Sequence, residues 1–423
     1  MQAGSNHWVL LMDREDTGLA SHPSAERIGF ARLTTMAFEG ADLRPLRDQL
    51  IGRLADGSAS AGEGLDLSLI IQLLGDKQTG MAIQAEVLAY HQLYRSPCSS
   101  QAPKLRVLAL AAAIDMGGNT PIEFLLENSG IELQTLYVVA GIDLPIPLPE
   151  HDVAIVIASD SEECVEALRK IDAMAPRWPR RLLNSPRFVR NLDRDKLYGL
   201  LQGCAGLEIP ATLSVARAEL TSMAQSTDLS AIATGLKFPV IVRPRGSHAG
   251  VGLVKVDDGA ALAQYLAGRP EQAFFVSRFV DYSSADGLYR KYRAVFIDGK
   301  PYACHMAIAD RWDIWYLNAG MAFSEEKREE EARFMRDFDH DFAFRHRAAL
   351  AAVANRVGLD YFTIDCAENK SGELLIFEAD NTAVVHNMDS PVVFPYKAPQ
   401  MRKIFDAFAA MLSRAAPKRE QAA

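Results

Sequence analysis

Two apolar segments lie near the carboxyl end of this chain: LDYFTIDC at residues 359–366 and LLIFEADN at residues 374–381. The residues between them include Asn369-Lys370-Ser371-Gly372, a combination that favours a tight turn. We therefore expect two antiparallel strands joined as a hairpin. Such a hairpin brings Asp365 of the first strand close to Glu378 of the second.

The acidic residues of this hairpin follow runs of apolar residues. Side chains alternate between the two faces of a strand, so Glu378 and Asp380 share one face, and Asp365 adds a third carboxylate. A carboxylate among apolar side chains is costly to bury unless it is paired or bound to a metal, and hard oxygen ligands suit Mg²⁺ carrying nucleotide phosphates. The sequence thus indicates a metal site; the alternative is a strand whose acids face water.

A glycine-rich loop lies further upstream, in FPVIVRPRGSHAGVGLVKV at residues 238–256. An apolar strand ends at the cation Arg243, crosses the loop and continues into a second strand. Glycine allows the backbone to approach a ligand closely, so that successive N–H groups can point at phosphate oxygens while Arg243 offsets their charge. A plain β-hairpin would also use Gly250 and Gly252, and this alternative stays open.

Two further segments, FFVSRFVD at residues 274–281 and YRKYRAVFI at residues 289–297, follow the loop as expected strands. In the second of them Arg293, Val295 and Ile297 share a face, which makes Arg293 an arginine on the buried side that needs an anionic partner. A substrate phosphate is one such partner, and a structural salt bridge is the other.

Length and composition limit the class of protein. A chain of 423 residues exceeds a single hydrophobic core and indicates two or three domains. With 49% hydrophobic and 23% charged residues it is typical of soluble globular proteins, and the net charge of −9 argues against a general nucleic-acid binder. The five cysteines show no metal-binding spacing, and no segment is long and apolar enough to span a membrane, so we expect reduced thiols and a cytoplasmic location.

The chain divides by its periodicity into three predicted domains. Residues 1–103 are mainly helical, and residues 104–200 alternate between strand and helix as in a parallel α/β sheet. Residues 201–415 are α+β, with hairpin turns expected at Asp298-Gly299-Lys300 and at Asn369 to Glu373. The charged segment at residues 324–347 reads either as a solvated helix or as a lid.

The loop, the strand pair and the acidic hairpin, in this order and spacing, resemble the ATP-grasp superfamily, nearest to its glutathione-synthetase and ribosomal-protein glutamate-ligase branch. The resemblance covers about residues 105 to 411. It implies a two-lobed ATP-grasp domain preceded by an α/β domain, with ATP and Mg²⁺ as cofactors and Mn²⁺ as the alternative metal.

The resemblance also implies roles for individual residues. The implied nucleotide-binding residues are Lys196, Arg243, Gly246, Ser247, His248, Gly250 and Gly252 in contact with the phosphates, and Ser277, Arg278, Phe279 and Val280 as the adenine hinge. Arg293 would be the catalytic residue that faces the γ-phosphate, and Asp365, Glu378 and the residue two beyond it would hold the metal.

Two departures from the family pattern concern these residues. The family commonly has lysine where this chain has Arg243, which keeps the charge but replaces a point donor with a planar fork. The metal motif is usually Glu-x-Asn, so spacing assigns the third ligand to Asp380 and side-chain identity assigns it to Asn381. We favour Asp380, because the strand period puts Asn381 on the opposite face.

The implied reaction is the activation of a carboxylate by ATP to an acyl phosphate, followed by attack of an amine or thiol. His305, Asp310 and Arg311 follow the Arg293 strand and could line the acceptor site, although His305 could equally be a structural strand histidine. The substrates are either small molecules or a peptide or protein that the helical first domain recognises. The third hypothesis is a nucleotide-binding regulator or a phosphotransferase without ligase activity. The sequence leaves open whether the protein forms a homodimer.

Overall fold

The computed structural model describes residues 24–225, 236–247 and 250–417. Near the start of this part lie four helices: α1 at Phe30–Phe38, α2 at Arg44–Ala55, α3 at Ala61–Leu73 and α4 at Lys77–Tyr90. Helix α3 starts with a capping box, in which Ser60 accepts a hydrogen bond from Glu63 N and the Glu63 carboxylate accepts one from Ser60 N. Leu65 and Ile70 of α3 are almost fully buried. The helical N-terminal region predicted from the sequence is confirmed.

The first sheet has six strands and is largely parallel. The strands are β1 at Ala25–Glu26, β2 at Leu93–Arg95, β3 at Arg106–Ala112, β4 at Glu132–Val138, β5 at Val153–Val156 and β6 at Leu182–Leu183. Their order is β1-β2-β4-β3-β5-β6, and β4, β3, β5 and β6 run parallel to one another. Leu108 and Ala109 of the central strand β3 are fully buried, as expected for a parallel sheet that is covered on both faces.

Short helices follow the strands of this sheet along the chain. They are α5 at Ile122–Leu125, α6 at Val165–Met174, α7 at Pro186–Val189 and α8 at Arg194–Leu201. Asp193 begins α8 by accepting a hydrogen bond from Arg194 N. The division at residue 103 stays a prediction, but β1 and β2 lie before it and both belong to the sheet of the α/β region.

The second sheet is a four-stranded antiparallel sheet. The chain reaches it after the short strand β7 at Leu207–Glu208, and its strands are β8 at Thr212–Ala216, β9 at Val240–Pro244, β10 at Val254–Val256 and β11 at Ala273–Arg278, in the order β10-β9-β11-β8. Two helices, α9 at Arg217–Ala224 and α10 at Gly259–Ala267, pack on it. Val242, Leu262 and Phe274 form its buried core.

The third sheet has five strands: β7, β12 at Tyr289–Ile297, β13 at Lys300–Ala309, β14 at Tyr361–Glu368 and β15 at Leu374–Asp380. Their order is β13-β12-β14-β15-β7. Asp298 and Gly299 connect β12 to β13 with φ angles of 50° and 76°, as a two-residue type I′ turn requires. Phe296 and Phe362 stack at 4.6 Å between neighbouring strands. Both hairpins expected from the sequence are therefore present.

The remaining helices cover this sheet: α11 at Glu325–Asp337, α12 at Phe342–Arg345, α13 at Arg347–Val357 and α14 at Lys397–Ala415. Helix α11 contains most of the charged segment. Its Glu331 is fully buried and accepts hydrogen bonds from Met306 N at 3.1 Å and the Tyr396 hydroxyl at 2.6 Å. This part of the segment is thus a helix with one packed face, rather than a wholly solvated one.

The structure bears on two expectations from the sequence, which concern the cysteines and membrane-spanning segments. All five cysteines are described and none forms a disulfide. In the part of the chain that the structure describes, we find no helix with the length and apolar character needed to cross a membrane.

Candidate functional site

A cavity of about 1480 Å³ lies between the three sheets, and each sheet contributes residues to its lining. The first sheet contributes the loops after β3 and β5, the second contributes β9 and β11, and the third contributes charged residues of β12, β14 and β15. The three regions predicted to carry the chemistry therefore face the same space.

Arg293 and Asp365 form an ion pair with two hydrogen bonds in this cavity. They lie opposite each other on β12 and β14, where Arg293 donates from Nε to Oδ1 at 2.7 Å and from Nη2 to Oδ2 at 3.0 Å. Lys291 adds its Nζ at 2.7 Å from Asp365 Oδ2. Burial by itself would raise the pKa of Asp365, but the two cations outweigh it and hold that pKa well below its ordinary value.

Glu378 is the cross-strand neighbour of Asp365 on β15, as the predicted hairpin requires. It is paired with Arg194, which comes from the start of α8. Burial opposes the ionisation of Glu378, whereas the charge of Arg194 favours it, and the net result is a lowered pKa. Two carboxylates on adjacent strands are thus each ionised and balanced by arginine.

The two strand pairs that carry these residues both contain a β-bulge. The pairing of β12 with β13 passes from Arg293–His305 to Ala294–Ala303, which leaves Cys304 as the extra residue. The pairing of β14 with β15 passes from Asp365–Glu378 to Cys366–Ile376. A bulge changes the direction of neighbouring side chains, and bulges are frequent next to functional sites.

Asp380 and Asn381 point in different directions at the end of β15. Asp380 lines the cavity and accepts hydrogen bonds from Thr382 N at 2.6 Å and Thr382 Oγ1 at 2.8 Å. Asn381 is fully buried away from the cavity, with its Nδ2 donating to Ala158 O at 2.9 Å, and its Oδ1 has no partner among the residues described. This is the alternation that the strand period predicts.

The carboxylates suit Mg²⁺ by their chemistry, since they are hard oxygen donors. Within the described residues no group of three His, Cys, Asp or Glu side chains stands close enough to hold a metal by itself. Magnesium, however, is usually bound by one or two carboxylates together with substrate phosphates and water. The adjacent pair Asp365 and Glu378 satisfies that smaller requirement.

The glycine loop connects β9 to β10 on the opposite side of the cavity. Arg243 donates from Nε to Ser247 Oγ at 3.1 Å and also to the Ser247 carbonyl. Burial, with a smaller contribution from the positive charge of Arg194, lowers the pKa of Arg243 to about 10. Gly246, Ser247 and Gly250 line the cavity, so this loop faces the charge pairs of the third sheet.

Another predicted residue of this loop, Gly252, is not among the residues that line the cavity. Gly252 has a φ of 70° and its carbonyl accepts a hydrogen bond from the Tyr265 hydroxyl at 2.7 Å. His248 lies outside the described residues.

The predicted hinge, Ser277 to Val280, lines the cavity throughout. It continues from the end of β11, where Arg278 pairs with Glu208 and Phe279 N donates to Pro239 O at 3.2 Å. The Phe279 ring lies edge-on to Trp312 at 5.7 Å. The segment therefore brings the Phe279 ring and several backbone groups to the part of the cavity lining that lies next to the second sheet.

Some predicted residues lie elsewhere. Lys196 donates from Nζ to Arg190 O at 3.0 Å on an exposed surface, while Arg194, two residues earlier on α8, enters the cavity. Arg311 pairs with Asp313 and is exposed, as is Asp310. Of the three predicted substrate residues, His305 lines the cavity, where its ring lies 4.8 Å from that of Tyr316.

Sequence reasoning missed several charged residues of the cavity, among them Arg194, Lys291, Asp160 and Lys397. Asp160 follows β5 at the carboxyl edge of the parallel sheet, a common position for ligand-binding residues, so its place in the chain was an available signal. Burial and the nearby carboxylates Asp380 and Asp193 raise the pKa of Asp160 to about 7. Lys291 shares a strand face with Arg293, which was also a usable signal.

Comparison with known proteins gives matches among solved structures only. No protein-family model and no curated protein matches this chain. Among the similar structures is a RimK domain ATP-grasp protein from Sphaerobacter thermophilus, with 16% identity, a TM-score of 0.42, and coverage of 73% of this chain and 99% of its own. Another is a D-alanine–D-alanine ligase from Bacillus anthracis complexed with ATP, at 13% identity, a TM-score of 0.43 and coverage of 73% and 97%.

A third similar structure is the ATP-grasp ligase PsnB complexed with a precursor peptide and AMPPNP, at 13% identity, a TM-score of 0.41 and coverage of 74% and 99%. Solved structures similar to this chain thus include ATP-grasp proteins, the family that its sequence motifs resemble.

Proposed function

We propose that this protein is an ATP-dependent ligase of the ATP-grasp type, which joins a carboxylate to an amine or thiol through an acyl phosphate. The observation that carries the proposal is the convergence in one cavity of Arg293, Asp365 and Glu378 from the third sheet with Arg243 and its glycine loop from the second. Opposed cations and carboxylates on two sheets suit a polyphosphate and its metal ion.

The size and lining of the cavity support two ligands side by side. At about 1480 Å³ it exceeds the roughly 300–1,000 Å³ of a pocket for one small molecule. The hinge around Phe279 would hold the adenine ring, and Arg243 with the N–H groups of the glycine loop would hold the phosphates. The carboxylate substrate would then lie between the γ-phosphate and Arg293.

The proposed chemistry has two steps. A carboxylate oxygen of the substrate attacks the γ-phosphorus, the bond to the β–γ bridging oxygen breaks, and ADP leaves. The amine or thiol then attacks the acyl carbon, phosphate leaves and one proton is released. The protein accelerates both steps by positioning the reactants and by neutralising charge, and Arg293 offers the transferring phosphoryl group the Nη1 and Nη2 hydrogens that its bonds to Asp365 leave free.

The metal would be held by Asp365 and Glu378, with Asp380 as the third candidate. Mg²⁺ bound there would offset phosphate charge. Before it binds, Arg194, Arg293 and Lys291 keep the two carboxylates ionised, which is the state that a metal ion requires.

The decisive experiment is substrate-dependent turnover. Purified protein with ATP and Mg²⁺ should release ADP and phosphate only when a carboxylate and an amine or thiol are both present, and Asp365→Ala or Glu378→Ala should abolish the release. Release with a carboxylate alone would instead indicate a phosphotransferase. Nucleotide binding without release across a broad panel of substrates would indicate a regulator.

A further inference from the structure

The N-terminal helices contribute apolar residues to the lining of the cavity. Phe38 of α1 and Met81 of α4 line it together with Met116 from the loop after β3 and Val384 from the segment after β15. These four residues are called the apolar wall below. They come from four separate parts of the chain, and only folding brings them into the lining of one cavity.

The apolar wall is incompletely covered. Phe38, Met116 and Val384 are 47%, 43% and 44% exposed, although each borders the concave cavity. Large apolar side chains exposed in a concave site favour an apolar ligand, because covering them removes their surface from water. The wall residues themselves carry no charge, and the nearby Lys77 is balanced by an ion pair with Asp115.

Polar contacts hold the wall in place. Gln72 of α3 accepts a hydrogen bond from Met116 N at 3.0 Å, and the Lys77–Asp115 pair connects α4 to the same loop. Glu123 accepts one from Ala31 N of α1 at 2.8 Å. The helices that carry Phe38 and Met81 are therefore connected to α5 and to the loop after β3.

The wall is continuous with the reacting end of the cavity through His386. The His386 ring lies 5.9 Å from the Phe38 ring. His386 and Arg293 line the same cavity, and Asp389, three residues after His386, pairs with Lys397 of the lining at 2.9 Å. The apolar wall therefore opens into the cavity that contains Arg293.

We infer that the apolar wall is a substrate subsite, which holds an uncharged apolar group of the molecule that reacts beside Arg293. The inference rests on the proposed function and adds the chemical class of the substrate. The apolar group belongs either to the carboxylate or to the amine, because the wall recognises only the group itself.

Binding of small probes tests the inference without turnover. Calorimetry with the full chain and a non-hydrolysable ATP analogue would compare 3-phenylpropanoate with glutarate, and 2-phenylethylamine with 1,4-diaminobutane. We expect at least one apolar probe to bind about tenfold or more tighter than its charged counterpart. Equal affinities in both pairs, or no binding of either apolar probe, would overturn the inference.

Variants locate the binding. Phe38→Ala and Met116→Ala should each reduce the preference for the apolar probe several-fold, and Val384→Asp should reduce it further. The matched control is Phe344→Ala, because Phe344 is 59% exposed and lies outside the cavity lining. An equal effect of Phe344→Ala would count against the subsite, and unchanged thermal midpoints would show that each variant folds.

The binding assay tests the subsite and the turnover assay tests the ligase, so the failure of one can be distinguished from the failure of the other. If the apolar probes bind but no pair of carboxylate and amine releases ADP, the proposed ligase is refuted and the subsite is supported. If turnover occurs only with charged substrates, the ligase is supported and the subsite is refuted.

Discussion

Arg293 meets Asp365 through two parallel hydrogen bonds, a geometry that lysine cannot reproduce. We expect Arg293→Lys to fold, because Lys291 still neutralises Asp365, but to lower kcat for ADP release by about 10²- to 10³-fold, as the loss of one oriented donor does elsewhere. Steady-state kinetics would measure the change.

The control for Arg293→Lys is Arg345→Lys, since Arg345 also pairs with a carboxylate but is 44% exposed and lies outside the cavity lining. It should leave kcat unchanged. A rate for Arg293→Lys within a factor of two of wild type would contradict the catalytic role.

Asp160 gives a prediction about pH. Its pKa is raised to about 7 in the folded protein and lies near 4 in an unfolded chain. Between these values the folded state binds more protons, so this residue makes stability fall as pH rises from about 4 to about 7. Asp160→Asn removes that loss, and we expect its thermal midpoint to exceed that of wild type by about 2–4 °C at pH 8.

The measurement is the difference between the two thermal midpoints from pH 4 to pH 8, which cancels the contribution of other groups. Asp339→Asn, on an exposed turn, serves as the control and should run parallel to wild type. A constant difference between Asp160→Asn and wild type across the range would show that Asp160 titrates normally.

At the scale of the element, the glycine loop depends on backbone conformation. Gly252 has a φ of 70°, and a Cβ there would meet Pro244 Cδ at 2.7 Å and Arg269 Nη1 at 2.8 Å. We expect Gly252→Ala to destabilise the β9–β10 hairpin by about 1–3 kcal/mol and to weaken nucleotide binding, because the loop must shift. Calorimetric titration with ATP would measure the binding.

Gly268→Ala is the matched control for the loop. Gly268 ends α10 on the same sheet, but its φ is −88° and the nearest atom to an added Cβ is Tyr265 O at 3.9 Å. This variant should bind ATP as wild type does. If both variants bound equally well, the loop would not depend on the conformation of Gly252.

At the scale of the whole molecule, Asn184 joins the first sheet to the third. Its Nδ2 donates to Tyr361 O at 2.8 Å, and its Oδ1 accepts from Tyr361 N at 2.9 Å, with the side chain fully buried. Asn184→Ala would leave both backbone groups of Tyr361 without partners, so we expect a loss of about 2–5 kcal/mol in the free energy of unfolding. Chemical denaturation would measure it.

Asn128→Ala is the control that distinguishes the loss of these hydrogen bonds from the effect of backbone strain. Asn128 has a φ of 58°, close to the 51° of Asn184, but it is exposed and makes no comparable contact with another sheet in the described structure. The two variants share the cost of alanine in the left-handed region. Equal losses for both would mean that the Asn184 bonds do not hold the sheets together.

Much of the fold follows from local sequence. The two-residue turn at Asp298 and Gly299 and the alternating strands around residues 359–381 predict hairpins, because turn chemistry and the two-residue period act between near neighbours. The same period correctly separates Asp380 from Asn381. The strand–helix alternation after residue 104 predicts the parallel sheet for the same reason.

Tertiary structure decided which residues line the cavity. The motifs pointed to Lys196, whereas the start of α8 brings Arg194 to Glu378, since the orientation of a helix against a distant strand depends on packing. Asp160 and the apolar wall likewise come from separate regions of the chain. The sequence by itself determined the elements and the chemical types of the residues, through contacts between near neighbours. The charge pairs and the wall needed the long-range packing of three sheets.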